Sequence, residues 1–203
     1  MSHPPVLRPD LQLVADQIFP FSRVLDLGCG PGKLLDYLRR TKECAVTGVD
    51  TDPDAVVQAI RRGVPVLERD VEEALLDIAD DSYDTVVLSR TLQTIVRPAV
   101  VLREMGRVAE RLIVSVPNFG YYENRLRLLR GRMPMSKELP YEWYDTPNLR
   151  FTTLRDLEAL FDRLGFTIDR VYTYTQQGRR LRMYGRAANL LAGAAIYGLR
   201  PSR

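Results

Sequence analysis

With 203 residues, 45% of them apolar, the chain can bury one sizeable core and sits near the upper size at which a single compact domain (1–203) is the default. A formal net charge of +3, spread along most of the chain, is too small an excess to point to nucleic acid. Two cysteines, Cys29 and Cys44, make no disulfide framework and suit a reducing, cytoplasmic setting. Met1–Asp10 has no apolar core of a secretory signal, and the most apolar late stretch, Ala187–Leu199, is too short to span a bilayer, so no membrane role is expected.

Apolar residues at helical spacing over Leu11–Phe19 predict an opening amphipathic helix. Arg23–Leu27 is a short apolar run ending in glycines, the pattern of a buried parallel strand, and Lys33–Arg40 predicts the helix after it. Ala45–Val49 is a second strand, Asp54–Arg62 a helix stopped by Gly63, and Val64–Glu68 a third strand. Asp84–Ser89, a helix over Pro98–Val108 and Arg111–Val116 continue the alternation up to Pro117. Such strict β-α-β-α order calls for a doubly wound α/β protein, a mostly parallel sheet with helices on both faces. The segment 118–150 breaks the pattern. It gathers Tyr121, Tyr122, Tyr141, Trp143 and Tyr144 with Pro134, Pro140 and Pro147, and is too long for an ordinary connection. Thr153–Leu164 resumes as a helix, Phe166–Tyr174 as a sixth strand and Leu190–Leu199 as a seventh.

The glycine cluster Asp26-Leu-Gly28-Cys-Gly30-Pro-Gly32 carries the strongest chemical signal. Glycines at 28, 30 and 32 allow a tight bend and a close approach to a ligand, and the N–H groups of the next helix start favour a carboxylate or other anion. A dinucleotide fingerprint would need glycine where Lys33 stands, and the longer phosphate-cradling P-loop is absent. Asp26 at the strand end would repel a pyrophosphate but suits a ligand with an ammonium group. Asp50, ending the second strand, is placed to accept both hydroxyls of a ribose. Asp70, just past the third strand, can accept from an adenine amino group while a neighbouring amide donates to the ring; the plain alternative is a solvated loop acid. Cys29 reads as a packing residue rather than a nucleophile, since no histidine lies near it, and His3, the only histidine, reads as incidental.

VLDLGCGPG (Val24–Gly32), GVD (Gly48–Asp50), RDVE (Arg69–Glu72) and YDTVVLS (Tyr83–Ser89) resemble the successive motifs of class I S-adenosylmethionine (SAM)-dependent methyltransferases. The likeness covers roughly residues 20–116, with a family-like ending over Phe151–Phe166. It implies a Rossmann-like, seven-stranded sheet of order 3-2-1-4-5-7-6 with strand 7 antiparallel. It also implies SAM, or S-adenosylhomocysteine, as cofactor: Asp26 and the glycine turn hold the methionine part, Asp50 the ribose, Asp70 and Val71 the adenine, with Ser89 near the sulfonium end. The cofactor-binding set is then Asp26, Gly28, Cys29, Gly30, Asp50, Thr51, Asp70, Val71 and Ser89, and no metal is implied. SRTLQTIVRP (Ser89–Pro98), VPNFG (Val116–Gly120) and RGRMPMSKELPYEWYDTPN (Arg130–Asn148) resemble, more narrowly, the MetW-type methionine-biosynthesis proteins. That resemblance implies homoserine O-acyltransferase as partner.

No base is singled out for methyl transfer, which asks chiefly for proximity and a linear approach. Ser89-Arg-Thr-Leu92 is not the Asn-Pro-Pro-Tyr signature of amine methylation, so the catalytic residues are unassigned. Two functions follow: a SAM-binding partner or regulator of the acyltransferase, or an active methyltransferase on an unidentified small molecule. Segment 118–150 discriminates between them. As a lid, Tyr141, Trp143, Tyr144 and Asp145 would close over SAM; as an interface, the same aromatics with Arg125, Arg127, Arg130 and Arg132 have the composition of binding hot spots; or the aromatics pack onto the sheet. From Arg170 onward the chain has arginines and no acid, which suits a solvated rim or part of a partner surface better than a nucleic-acid or membrane contact.

Overall fold

The structure, a computed structural model, describes residues 4–202, so His3 lies outside the described residues. In chain order the elements are α1 (Pro9–Ala15), β1 (Arg23–Leu27), α2 (Lys33–Lys42), β2 (Ala45–Asp50), α3 (Pro53–Arg61), β3 (Val66–Glu68) and α4 (Val71–Leu76). There follow β4 (Tyr83–Ser89), a 3-10 turn at Leu92–Thr94, α5 (Pro98–Val108), β5 (Ala109–Pro117) and α6 (Tyr122–Leu129). The chain ends with α7 (Leu154–Arg163), β6 (Phe166–Tyr174), β7 (Arg180–Leu181), α8 (Gly185–Leu191) and β8 (Ala194–Pro201).

All strands join one sheet of order β3-β2-β1-β4-β5-β8-β6-β7. From β3 to β5 every pairing is parallel; β8 then runs antiparallel between β5 and β6. Val24, Val87, Ile113 and Ile196 point to the face covered by α1, α2 and α3. Leu25, Leu27, Val86, Leu88, Leu112, Val114 and Tyr197 point to the other, beneath α4, α5, α7 and α8. Burial on both faces is why these strands read as continuous apolar runs rather than as alternating ones. Among the described residues no helix is long and apolar enough to cross a membrane.

The expected sheet order holds, with the two-residue β7 added beyond β6 at the edge. The final strand starts at Ala194, not Leu190, because residues 185–191 form α8, whose Ala188 packs into the core beneath α7. Gly193 follows with no room for a side chain: a Cβ there would press on the Gln176 backbone at 3.0 Å. The opening helix is Pro9–Ala15 rather than Leu11–Phe19. Proline at its start presets the helical φ, and Lys42 Nζ donates to the carbonyls of both Ala15 and Ile18 (2.6 Å each), tying off its end. Besides α8, two further helices not expected are α4 and α6. Helix α4 carries a start signal in the sequence, Asp70 as N-cap followed by Glu72 and Glu73 in the first turn.

Candidate functional site: a two-lobed cleft at the glycine turn

The turn between β1 and α2 is shaped by backbone geometry. Gly28, Gly30 and Gly32 all have positive φ (73°, 53° and 70°), a region that side-chain-bearing residues enter only with strain. The N–H groups of Gly28 and Cys29 both donate to Val49 O (2.8 and 3.0 Å), pinning the turn to the end of β2. A Cβ on Gly28 would overlap the Thr91 side chain, whereas a Cβ on Gly30 would meet nothing within 4 Å. The first glycine is thus demanded by a neighbour across the cleft, and the second leaves open space beside the backbone. Cys29 fills the gap over Gly48, where a Cβ would come within 2.5 Å of its sulfur. Burial, then Asp26 and Asp50, push the Cys29 thiol far above its usual range, which keeps it an inert packing group.

Two cavities of about 250 and 230 Å³ meet at Gly28. Taken together they fall within the roughly 300–1,000 Å³ of ordinary ligand sites. The first holds Gly28, Asp50, Thr51, Asp70 and Val71; the second holds Asp26, Gly28, Cys29, Gly30 and Ser89. Every residue expected at the site therefore lines one lobe or the other.

Asp50 Oδ2 accepts from the Gly30 N–H (2.6 Å) and Oδ1 from the Asp52 N–H (3.0 Å). Two backbone donors hold the carboxylate in place, and each oxygen keeps accepting capacity for a further hydroxyl. Asp70 is not a free loop acid, since its Oδ1 accepts from Glu72 N (2.7 Å) as the N-cap of α4. Val71 opens that helix, where an amide has no partner in the helical ladder.

Asp26 is the electrostatic anomaly. It is 3% exposed, and its Oδ1 is buried without a hydrogen-bond partner among the described residues. Burial, and secondarily the nearby Asp50, push its pKa up to about 7. An apposed cation would relieve that cost.

The sequence reading missed several lining residues. On the first lobe they are Glu72 and the loop after β4: Arg90, Thr91, Thr94, Ile95 and Val96. Glu72 sat in plain view beside the cap; burial pushes its carboxyl up, but hydrogen bonds from Arg97 outweigh this and hold it below the usual range. On the second lobe Val6, Arg8 and Leu11 come from the chain entering α1 and from its first turn. Nothing in those residues signals that they fold over the glycine turn.

Tyr141, Trp143 and Tyr144 line neither lobe; Trp143 is 67% and Tyr144 72% exposed. Tyr121, Asn124 and Leu139 of the same segment are buried. So the segment is anchored by a few residues and presents its largest aromatics outward.

Residues 8–199 match the family described as Methionine biosynthesis protein MetW. The chain belongs to the MetW family. A relative, the bifunctional methionine biosynthesis protein MetXA/MetW of Rhodopirellula baltica, is 34% identical over 196 residues, 89% of this chain and 32% of that protein. The chain thus spans about a third of that curated relative, in which a MetW part is joined to a MetXA part. Among solved structures, a SAM-dependent methyltransferase of Thermotoga maritima, described as a possible histamine N-methyltransferase, superposes with a TM-score of 0.67 at 20% identity over 96% of this chain and 88% of its own. The [4+2]-cyclase SpnF superposes with a TM-score of 0.68 at 19% identity over 94% and 80%. These likenesses establish the Rossmann-like methyltransferase fold of this MetW chain. One fold carrying both descriptions shows why activity must be argued from the site.

Proposed function

We propose that this MetW chain binds SAM, or S-adenosylhomocysteine, in the two-lobed cleft and acts as partner and regulator of homoserine O-acyltransferase in methionine biosynthesis. The observation that carries the ligand half is the division of the cleft at Gly28. One side offers a buried, unpaired carboxylate, and the other a carboxylate pinned by two backbone amides. SAM has matching ends. Asp26 answers the cationic methionine part, and Gly30 lets the backbone approach it, with Cys29 packing the turn from behind and Ser89 beside the sulfonium. Asp50 accepts the ribose hydroxyls with Thr51 alongside, while Asp70 and the Val71 amide take the adenine edge. SAM supplies an activated methyl group when bound, yet the cleft contains no residue singled out as a base for an acceptor.

The partner half is supported by the relative that carries MetXA and MetW parts in one chain. It is supported as well by the outward aromatics of segment 118–150, a composition enriched at binding hot spots, flanked by exposed Arg127, Arg130 and Arg132. The deciding experiment is co-purification of homoserine O-acyltransferase with this chain, then its assay with and without the chain and SAM. A stable complex with altered acyltransferase activity is expected. An acyltransferase that neither co-purifies nor changes its rate sinks the partner reading. Absence of any binding heat on SAM titration sinks the ligand reading independently.

A further inference from the structure

The loop leaving β4, residues 89–97, faces two ways at once. Its inner side forms the wall of the cleft through Arg90, Thr91, Thr94, Ile95 and Val96, with Ser89 reaching the other lobe. Its outer side holds both ends of the central stretch of segment 118–150. At one end Arg90 Nη2 lies 2.6 Å from Glu138 Oε2, in the turn closed by the reciprocal Ser136–Leu139 backbone bonds. At the other end the Gln93 carbonyl accepts from the amides of Leu149 (2.8 Å) and Arg150 (2.9 Å), and the Arg150 guanidinium donates to Val96 O (3.0 Å). Arg90 also reaches α1, with Nε 3.1 Å from Asp10 Oδ2. The side chains of Asp10 and Glu138 are only 8% and 7% exposed, so these are interior ties rather than loose surface pairs.

The loop is also under tension. Arg90 has φ +59°, left-handed for a residue with a full side chain, and Gln93 Oε1 is buried without a partner among the described residues. Backbone strain of this kind clusters at ligand clamps and switch regions, and a buried acceptor without a partner is a feature a rearrangement could relieve. Residues of that same segment line the cleft, where a bound ligand would lie against them.

We propose that residues 89–97 are a transmission loop, with Arg90 as its positioning residue, through which ligand in the cleft sets the order of residues 136–150 and hence the affinity of a protein bound there. The inference rests on the ligand and partner readings above and adds the route between them. Linkage makes the effect reciprocal: a protein that holds 136–150 in its ordered form must tighten ligand binding by the same factor. Bistability of the loop, rather than mere connection, is what carries the coupling.

The test is amide hydrogen exchange on the full chain with and without saturating SAM, with binding measured by calorimetry in parallel. The amides of Lys137, Leu139, Leu149 and Arg150 all donate hydrogen bonds in this structure and report directly. SAM is expected to slow exchange at these positions about fivefold or more, the lower end of usual coupling factors. In the Glu138→Gln, Arg150→Met double variant SAM is expected to protect residues 89–97 still, while protection of 136–150 is lost. If the double variant fails to fold, Glu138→Gln alone must lose the SAM-dependent protection at Lys137 and Leu139, the amides flanking the weakened Arg90 pair. SAM binding that leaves 136–150 unprotected in the unmodified chain overturns the transmission loop alone. Protection that persists unchanged in the variants overturns the route. No binding heat at all overturns the ligand reading and this inference with it.

Discussion

The glycine turn and segment 118–150 sit on either side of one loop, and they are built in opposite ways. At the turn, three glycines with positive φ, two amides on Val49 O and one on Asp50 leave almost no freedom. In segment 118–150, Tyr121, Asn124 and Leu139 are buried, while Leu129, Trp143 and Tyr144 face solvent. Backbone geometry specifies the first region; a few anchors and the contacts it has yet to make specify the second. Under the proposed function the rigid region is the one that reads a ligand, and the exposed apolar area is the one that meets a partner.

The severest way to break this contrast is Gly28→Ala. The Cβ would enter the Thr91 side chain at a φ of 73°, combining steric overlap with left-handed strain. A loss of about 2–4 kcal/mol of stability is expected in denaturant titration. Adding Thr91→Ala should recover the overlap share and leave the strain share. A fully stable Gly28→Ala chain would show that the turn is less constrained than its geometry states.

Next in size is Asp50→Ala, which removes the pinned acceptor of the first lobe. Loss of charge-assisted bonds to the ribose should weaken SAM binding by about 1.5–3 kcal/mol in calorimetry. An unchanged affinity would move the site elsewhere.

Asp26 gives a pH signature of about 1.4 kcal/mol per unit. Its pKa is raised to about 7 by burial and then by Asp50, so the folded chain holds a proton that the unfolded chain has released. Its contribution to stability is present below the unfolded carboxylate pKa and is lost as pH climbs toward 7. Binding runs the other way. A cationic ligand needs Asp26 ionised, so SAM affinity should drop up to tenfold per unit as pH falls below 7. Asp26→Asn should flatten both profiles, and a binding curve that stays steep in this variant would assign the dependence to another group.

The smallest expected effect belongs to the other region. Trp143→Ala should change thermal stability by less than about 0.5 kcal/mol, as for exposed positions generally, while reducing capture of the acyltransferase by more than tenfold. A large loss of stability would mean that Trp143 is a structural anchor, and the contrast between the two regions would dissolve.

Much of the fold was legible because two-sided burial writes itself into composition. Val24–Leu27, Thr85–Leu88 and Leu112–Val116 are mainly apolar, broken only by Asp26, Thr85 and Ser115, and Gly28 stops the first run as Pro117 stops the last. The boundaries that moved were set by tertiary contacts. Lys42 reaches across to end α1, and Ala188 finds the core beneath α7, turning the expected start of the last strand into a helix. Helix α4 was readable in principle from Asp70 and the glutamates behind it. Helix α6 has no comparable cap, since Tyr121 offers no side-chain bond at its start.

The cleft residues divide in the same way. Asp26, Gly28, Asp50, Asp70 and Ser89 were foreseeable because each stands at the carboxyl end of a parallel strand or just beyond it, where side chains and amides face a common crevice. The sequence by itself determined that set, the MetW-like strings and the demand for glycine at the turn. Only the tertiary structure decided that Arg8 and Leu11 border the lobe that holds Asp26, that Thr91 is what forbids a side chain at 28, and that Arg90 joins Asp10 to Glu138. Those contacts join residues distant along the chain, and no local spacing or propensity encodes which distant side chain will be waiting.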